Sequence, residues 1–348
     1  MSKTLIIGGT GSLGRKLIER MLPDGDVAVC SRDEAKHWSI RNELTSFTAA
    51  CLPHKLEFYV GDVRDLSRMR DVIRQYQPDT VIVAAALKQV DTCELSPSES
   101  VATNLIGTQN VVDAVVSLSP AINVQRVLFV STDKACSPVN VYGMCKAISE
   151  RIVTSHSNVF PSTKFLAVRY GNVLESRGSI IPLFKYQAEN NDCLTVTDPD
   201  MTRFVMTLDD SVDLIKKTLE HGKSGETWIP CLPAMKIGDL AQIFSEKYNK
   251  PVKIIGLRPG EKKHEDLINE SESVRTRKVL LIPPKESLNY VIGPAFIAGG
   301  GTRFTYASSD IVMSQDDLKS YLDRLGILEP GLDKFQGAPI EEIMTNRK

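Results

Sequence analysis

Tyr142 and Lys146 stand four residues apart at the start of a helical pattern (Ala147, Ile148, Ile152, Val153), a spacing that puts both side chains on one helix face. A phenol with an ammonium beside it loses its proton more easily. Just upstream, Ser131-Thr132-Asp133-Lys134-Ala135 adds an acid and a second amine, so one short segment gathers Thr132, Asp133, Lys134, Tyr142 and Lys146. The apolar run Val127-Leu128-Phe129-Val130 predicts a buried parallel strand with Thr132, Asp133 and Lys134 at its carboxyl end. Ligands of open α/β sheets collect at that end, which makes this segment the candidate active site.

The elements that must position it begin at Thr4. A short apolar strand runs from there into Gly8, Thr10, Gly11, Ser12, Leu13 and Gly14, and a helical pattern follows (Leu13, Leu17, Ile18, Met21). Glycines at 8, 11 and 14 between a strand and a helix let the backbone approach a pyrophosphate, whose charge the helix N-terminus meets. The second strand, Val27–Cys30, ends in Ser31-Arg32-Asp33. A carboxylate at that point suits the ribose 2′-hydroxyl of NAD; Ser31 and Arg32 suit a 2′-phosphate, so NADP is favoured, and Asp33 keeps NAD open. A third strand, Leu56–Val60, delivers Asp62 and Val63, with Asp62 placed to accept from an adenine amino group. A fourth, Thr80–Ala84, leads into Ala84, Ala85 and Ala86, small enough for backbone to lie against a cofactor, and then Lys88. The next helix carries Asn104 as support for the active site and Gly107 for close packing. Alternation of strands and helices through Phe165–Tyr170 predicts a Rossmann-type doubly wound parallel sheet.

From Gly171 the rhythm changes, and a smaller C-terminal α/β substrate-binding domain is expected. The first domain takes 1–171 and about 205–235, with a helix over 208–219 and a returning strand over 226–229. The second takes about 172–204 and 236–336, with helices over 237–248 and 314–325, and 337–348 is a loose tail. No period emerges between Pro283 and Thr302, where Gly299-Gly300-Gly301 marks a loop.

The chain has 348 residues, 42% of them hydrophobic, enough for a full core; 42 basic against 43 acidic residues leave a formal charge of -1. That balance gives no electrostatic footprint for nucleic acid or an anionic membrane. Seven dispersed cysteines without a C-x-x-C pair argue against a disulfide framework and a zinc site, and fit a reducing cytoplasm. The five histidines have no metal spacing and are read as structural or exposed. Neither a signal peptide nor a membrane span is expected, and the location expected is cytoplasmic.

The glycine turn, Asp62, Asn104 and the Tyr142–Lys146 pair resemble the extended short-chain dehydrogenase/reductases over most of the chain. Ser131–Ala135, Arg169–Leu174, Arg177-Gly178-Ser179, Asp200–Phe204 and Arg258–Lys262 together look like the UDP-N-acetylglucosamine 4,6-dehydratases that invert carbon 5. The resemblance implies a redox-neutral reaction on a UDP-sugar with a tightly held NADP. Tyr142 takes the 4-hydroxyl proton, and Lys146 eases that and binds the nicotinamide ribose. Lys134 is the base at carbon 5, made neutral by burial, and Asp133 the acid at the carbon 6 oxygen. Arg203 and Arg258 resemble diphosphate ligands, with Asn172 and Lys88 as further substrate contacts, and a homo-oligomer, dimer or hexamer, is implied. Glu175 and Val205 depart from the family pattern near the expected sugar site. A 4-epimerase or 4-keto-sugar reductase on the same fold stays open, as does a dinucleotide-sensing protein without catalysis.

Overall fold

Residues 2–48, 54–174, 176, 178–281, 287–294 and 304–329 are described by the computed structural model of the chain. The departure at Glu175, the motif residue Arg177, the Gly299–Gly301 loop and the tail beyond Gly337 lie outside the described residues.

The apolar runs become strands β1 (Ser2–Ile7), β2 (Gly25–Ser31), β3 (Leu56–Val60), β4 (Thr80–Val83), β5 (Arg126–Val130) and β6 (Lys164–Val168). All pair in parallel, β3-β2-β1-β4-β5-β6. Parallel strands covered by helices on both faces bury both sides, which is why they read as continuous apolar runs. Leu5, Ile6, Val81, Ile82, Val127 and Leu128 are fully buried. Burial of each such side chain contributes roughly 1.5–3 kcal/mol.

The chain leaves β1 toward β2 and β3, then returns to place β4 on the other side of β1. This reversal opens a crevice beyond the carboxyl ends of β1 and β4. Gly8 closes it from one side: its φ is +87°, and a Cβ there would run into the backbone of Ala84 and Ala85. The glycine is required twice, for the left-handed backbone and for the close approach.

Further along come β7 (Asn172–Val173), β8 (Leu194–Val196), β9 (Thr202–Met206), β10 (Thr227–Pro230), β11 (Ala234–Lys236), β12 (Val252–Ile254), β13 (Asp266–Ile268), β14 (Thr276–Leu281), β15 (Ser287–Ile292) and β16 (Tyr306–Ala307). Three small sheets, β11-β9-β7, β12-β8 and β13-β16, belong to the C-terminal part. A separate core of Phe184, Val205, Met235, Phe244 and Leu322 fills it. The helices at Leu208–His221, Ile237–Tyr248 and Gln315–Arg324 lie where the apolar spacing places them.

Strand β10 returns to the large sheet beside β6, in parallel. The segment without a period, however, contains β15, which pairs antiparallel with β10 and with β14 and completes a nine-stranded sheet. The large sheet therefore takes Thr276–Leu281 and Ser287–Ile292 from the stretch expected in the smaller part. Val205 is wholly buried in β9, packed in the second core, and does not line the cleft. No helix among the described residues is long and apolar enough to cross a membrane.

Candidate active site

A cleft of about 780 Å³ runs from the glycine turn, past the ends of β4 and β5, to the loop at Arg258. Gly8, Thr10, Gly11, Ser12, Leu13 and Gly14 line one end, facing Ala84, Ala85 and Ala86 across the crevice, with Val63 beside them. Ser31 and Arg32 border the same end. Asp33 lines this end as well, with its carboxylate already engaged. It accepts from the Lys36 amide at 3.0 Å, as an N-cap does, and pairs with the Lys36 ammonium at 2.7 Å. Those contacts hold its carboxyl below the usual range.

Two expected cofactor contacts act differently. Asp62 does not line the cleft. It is occupied by Arg64, accepting from the backbone amide at 3.0 Å and from Nη2 at 2.7 Å. Asn104 lies within a π-helical turn, Val101–Ile106. Its amide clamps Leu87, accepting from the Leu87 amide at 2.8 Å and donating to the Leu87 carbonyl at 2.9 Å. It therefore fixes the chain just after the alanines that wall the crevice and does not itself line the cleft.

At the centre, β5 ends at Val130 and Ser131 leads into a short turn, Asp133–Ala135, with Thr132 as its cap. The following helix, Val141–Ser155, begins at Asn140, whose side chain accepts from the Gly143 amide at 2.8 Å. A Cβ at Gly143 would collide with the Lys134 carbonyl, so this glycine lets the helix start against the turn and brings Tyr142 to Thr132 and Lys134. Thr132, Lys134, Tyr142 and Lys146 all line the cleft.

Asp133 does not. It is completely buried, and its Oδ1 accepts from Thr132 Oγ1 at 2.9 Å and from the Lys134 amide and ammonium at 2.8 and 3.1 Å, while Oδ2 has no hydrogen-bond partner. The Lys134 ammonium meets a second carboxylate, Glu265, at 3.5 Å. Burial alone would lower its pKa, but Asp133 and Glu265 outweigh burial and raise it well above the usual lysine value. The expectation that burial makes Lys134 neutral is thus reversed: the two carboxylates hold it charged.

Burial pushes the Tyr142 phenol up to about 12, against the pull of the Lys134 ammonium and a Thr132 hydrogen bond. The expected helper, Lys146, points elsewhere. Its ammonium donates to the Val130 carbonyl at 2.6 Å and sits 4.1 Å from the centre of the Phe129 ring, and burial brings its pKa down to about 7. The charge that eases Tyr142 is that of Lys134.

At the far end, Arg203, Arg258, Asn172 and Lys88 all line the cleft. Arg203 spends its guanidinium on backbone, donating to the carbonyls of Thr202, Lys262 and Lys263 at 2.7, 2.9 and 3.1 Å. It braces the loop after Gly260. Arg258 is half exposed and paired with Glu261 at 2.6 Å. Lys88 approaches Ser176 at 3.5 Å. The loop is pinned to the centre by Asn140 donating to the Gly260 carbonyl and Lys262 to that of Cys136, both at 2.8 Å.

Sequence reasoning missed Glu265 and Lys36, which line the cleft, and the clamping role of Gly143. Glu265 lies far from the Thr132–Lys146 segment in sequence and carries no local signal; only the tertiary fold brings it to Lys134.

A glycine-turn Rossmann sheet with Tyr142 and Lys146 on one helix, beside a strand-end Thr-Asp-Lys, defines an extended short-chain dehydrogenase/reductase. Within that class, a family described as polysaccharide biosynthesis protein matches residues 4–282, and the chain belongs to it. A Rickettsia bellii protein named UDP-glucose 4-epimerase is 41% identical over 287 residues, 79% of this chain and 80% of that one. The crystal structure of a Bacillus thuringiensis protein named Pen superposes with a TM-score of 0.82 at 33% identity, over 94% of this chain and 98% of its own. A Streptomyces venezuelae dTDP-glucose 4,6-dehydratase, DesIV, solved with NAD, shares the fold with a TM-score of 0.64 at 22% identity, over 75% and 86% of the two chains.

Proposed function

We propose that the protein is a redox-neutral nucleotide-sugar 4,6-dehydratase that takes UDP-N-acetylglucosamine, inverts carbon 5 and holds NADP through turnover. The observation that carries this reading is Lys134 lining the cleft with Asp133 at 3.1 Å, in the same cleft as Tyr142. An epimerase needs only the phenol, whereas loss of water needs a further base and acid.

The residues fit a dinucleotide. The left-handed Gly8 lies against the backbone of Ala84 and Ala85, where a Cβ would collide, and the helix Ser12–Met21 starts there to meet a diphosphate. With Asp33 capping its helix, Ser31, Arg32 and Lys36 form the end suited to a 2′-phosphate. A bound nicotinamide would accept hydride from carbon 4 of the sugar and return it to carbon 6. Tyr142 receives the proton of the 4-hydroxyl. Once carbon 4 is a ketone, the carbon 5 proton becomes acidic, and Lys134 must be a free amine to take it. Lys134 reaches that state only by giving one proton to Asp133, 3.1 Å away, against the two carboxylates that otherwise hold it charged. That transfer yields the base; Asp133 does not line the cleft, and its proton reaches the carbon 6 oxygen through Thr132, which does and whose Oγ1 lies 2.9 Å from Asp133 Oδ1.

Incubation with UDP-N-acetylglucosamine and no added reductant tests the reading: the product is lighter by one water and inverted at carbon 5 by NMR. Return of the 4-epimer would instead support the second reading, a UDP-sugar 4-epimerase, which the Rickettsia bellii relative's name favours.

A further inference from the structure

Glu265 contacts the Lys134 ammonium, and the dehydration chemistry above leaves it without a role. Its side chain is 3% exposed, it borders the cleft, and its Oε1 lies 3.5 Å from Lys134 Nζ. Oε2 is buried with no hydrogen-bond partner; the nearest cation to it is Lys262, at 3.6 Å. The backbone around it is fixed from both sides by Ser308, whose Oγ accepts from the Glu265 amide at 2.9 Å and whose amide donates to the Glu265 carbonyl at 2.8 Å. A buried carboxylate costs stability unless it is paired, and a rigid one presented to a lysine at the reacting end of a cleft is poorly explained as packing.

We propose that Glu265 is a positioning residue for carbon 5 deprotonation: it holds the flexible Lys134 side chain over the cleft and stabilises the positive charge that returns to it as it takes the proton. The inference rests on the dehydratase reading. In the step concerned, the Lys134 amine takes the carbon 5 proton, and the electrons of that C–H bond become the C5–C6 double bond. The C6–O bond breaks with its electron pair going to oxygen, which takes the acid's proton and departs as water. Lys134 ends as an ammonium, and Asp133 and Glu265 are already in place around that charge, so no solvent need reorganise. The two carboxylates come from different parts of the chain, Asp133 from the end of β5 and Glu265 from the residue before β13. Lys134 is therefore fully held only while the C-terminal part is docked on the sheet. Oxidation at carbon 4 uses Tyr142, eased by the Lys134 charge, and Asp133 at 3.1 Å still pairs with that charge when Glu265 is neutralised.

The test is a comparison of wild type, Glu265→Gln and Glu265→Asp holoenzymes, each mixed with UDP-N-acetylglucosamine. Absorbance of the reduced nicotinamide and mass of the sugar are followed together. Glu265→Gln keeps the shape and loses the charge. It should still reduce its bound cofactor at a rate close to wild type, accumulate that reduced form, and lose water slower by on the order of tenfold or more. Glu265→Asp should recover part of the water loss, since the charge is back at a longer reach. Equal water loss by wild type and Glu265→Gln overturns the assignment and leaves the dehydratase reading intact. Parallel loss of both steps in Glu265→Gln and Glu265→Asp assigns the residue to folding and also overturns it. A wild type that oxidises carbon 4 and never loses water removes the dehydratase reading and this inference with it.

Discussion

Two buried lysines a dozen residues apart respond to burial in opposite senses. Lys134 has carboxylates at 3.1 and 3.5 Å and stays charged; Lys146 has a carbonyl and an aromatic face, with Glu150 acting on it from further off, and burial brings it to about 7. This difference has a measurable consequence. The folded value of Lys146 lies below the unfolded one near 10.5, so between those pH values the unfolded chain binds a proton that the folded chain does not. Stability of the cofactor-free protein should therefore fall as pH drops from about 10 toward 7, by roughly 1.4 kcal/mol per pH unit from this group. Lys146→Met should remove that part of the slope and melt higher than wild type near pH 7 in thermal scans. The types and spacing of Thr132, Asp133, Lys134, Tyr142 and Lys146 were legible because one helix turn and one strand end fix them locally. Which cation faces which anion was not, since Lys146 turns to Val130 and Glu265 arrives from a distant segment.

At the scale of elements, the strand-turn-helix units at β1, β2 and β5 do the positioning, and each is readable from an apolar run followed by a glycine or a cap. The end of β2 shows what is lost when only residue types are read. Asp33 looks like a ribose ligand in sequence, yet its carboxylate caps the helix Glu34–Thr48 and pairs with Lys36. Arg32 is then an exposed cation on that side of the crevice, beside Lys36, with Asp62 3.8 Å away. Arg32→Ala should weaken NADP binding by roughly tenfold and leave NAD nearly unchanged, because only the 2′-phosphate uses the guanidinium. Titration of the cofactor-free protein with each dinucleotide checks this, and equal weakening of both would remove Arg32 from the discrimination.

Across the whole molecule, the cleft depends on the C-terminal part being locked to the sheet. Arg169, buried just after β6, donates to Glu150 at 2.6 Å and to Glu272 at 2.7 Å, and to the Leu267 carbonyl at 2.9 Å. Helix, sheet and β13 thus meet on one guanidinium. Burial alone would raise Glu272, yet Arg169 holds it down to about 2. Its folded value is depressed, so it contributes stability fully present above about 4.5 and lost as pH falls toward 2. Glu272→Gln should cost about 3–5 kcal/mol at neutral pH, read from denaturant unfolding, because a buried guanidinium loses one of its two carboxylates. Nothing local in the sequence announces this lock, nor the strands next to it. Strand β14 lies at the sheet edge with exposed Arg277 and Lys278, so it lacks the continuous apolar run that reveals the central strands.

In the proposed dehydration, hydride leaves carbon 4 and returns to carbon 6 of the same sugar while water is lost between carbons 5 and 6. UDP-N-acetylglucosamine bearing deuterium at carbon 4 follows that hydride. The expected product is lighter by one water, and its new methyl group at carbon 6 carries the deuterium. Deuterium found again at carbon 4, in a sugar that has kept its water, would contradict it.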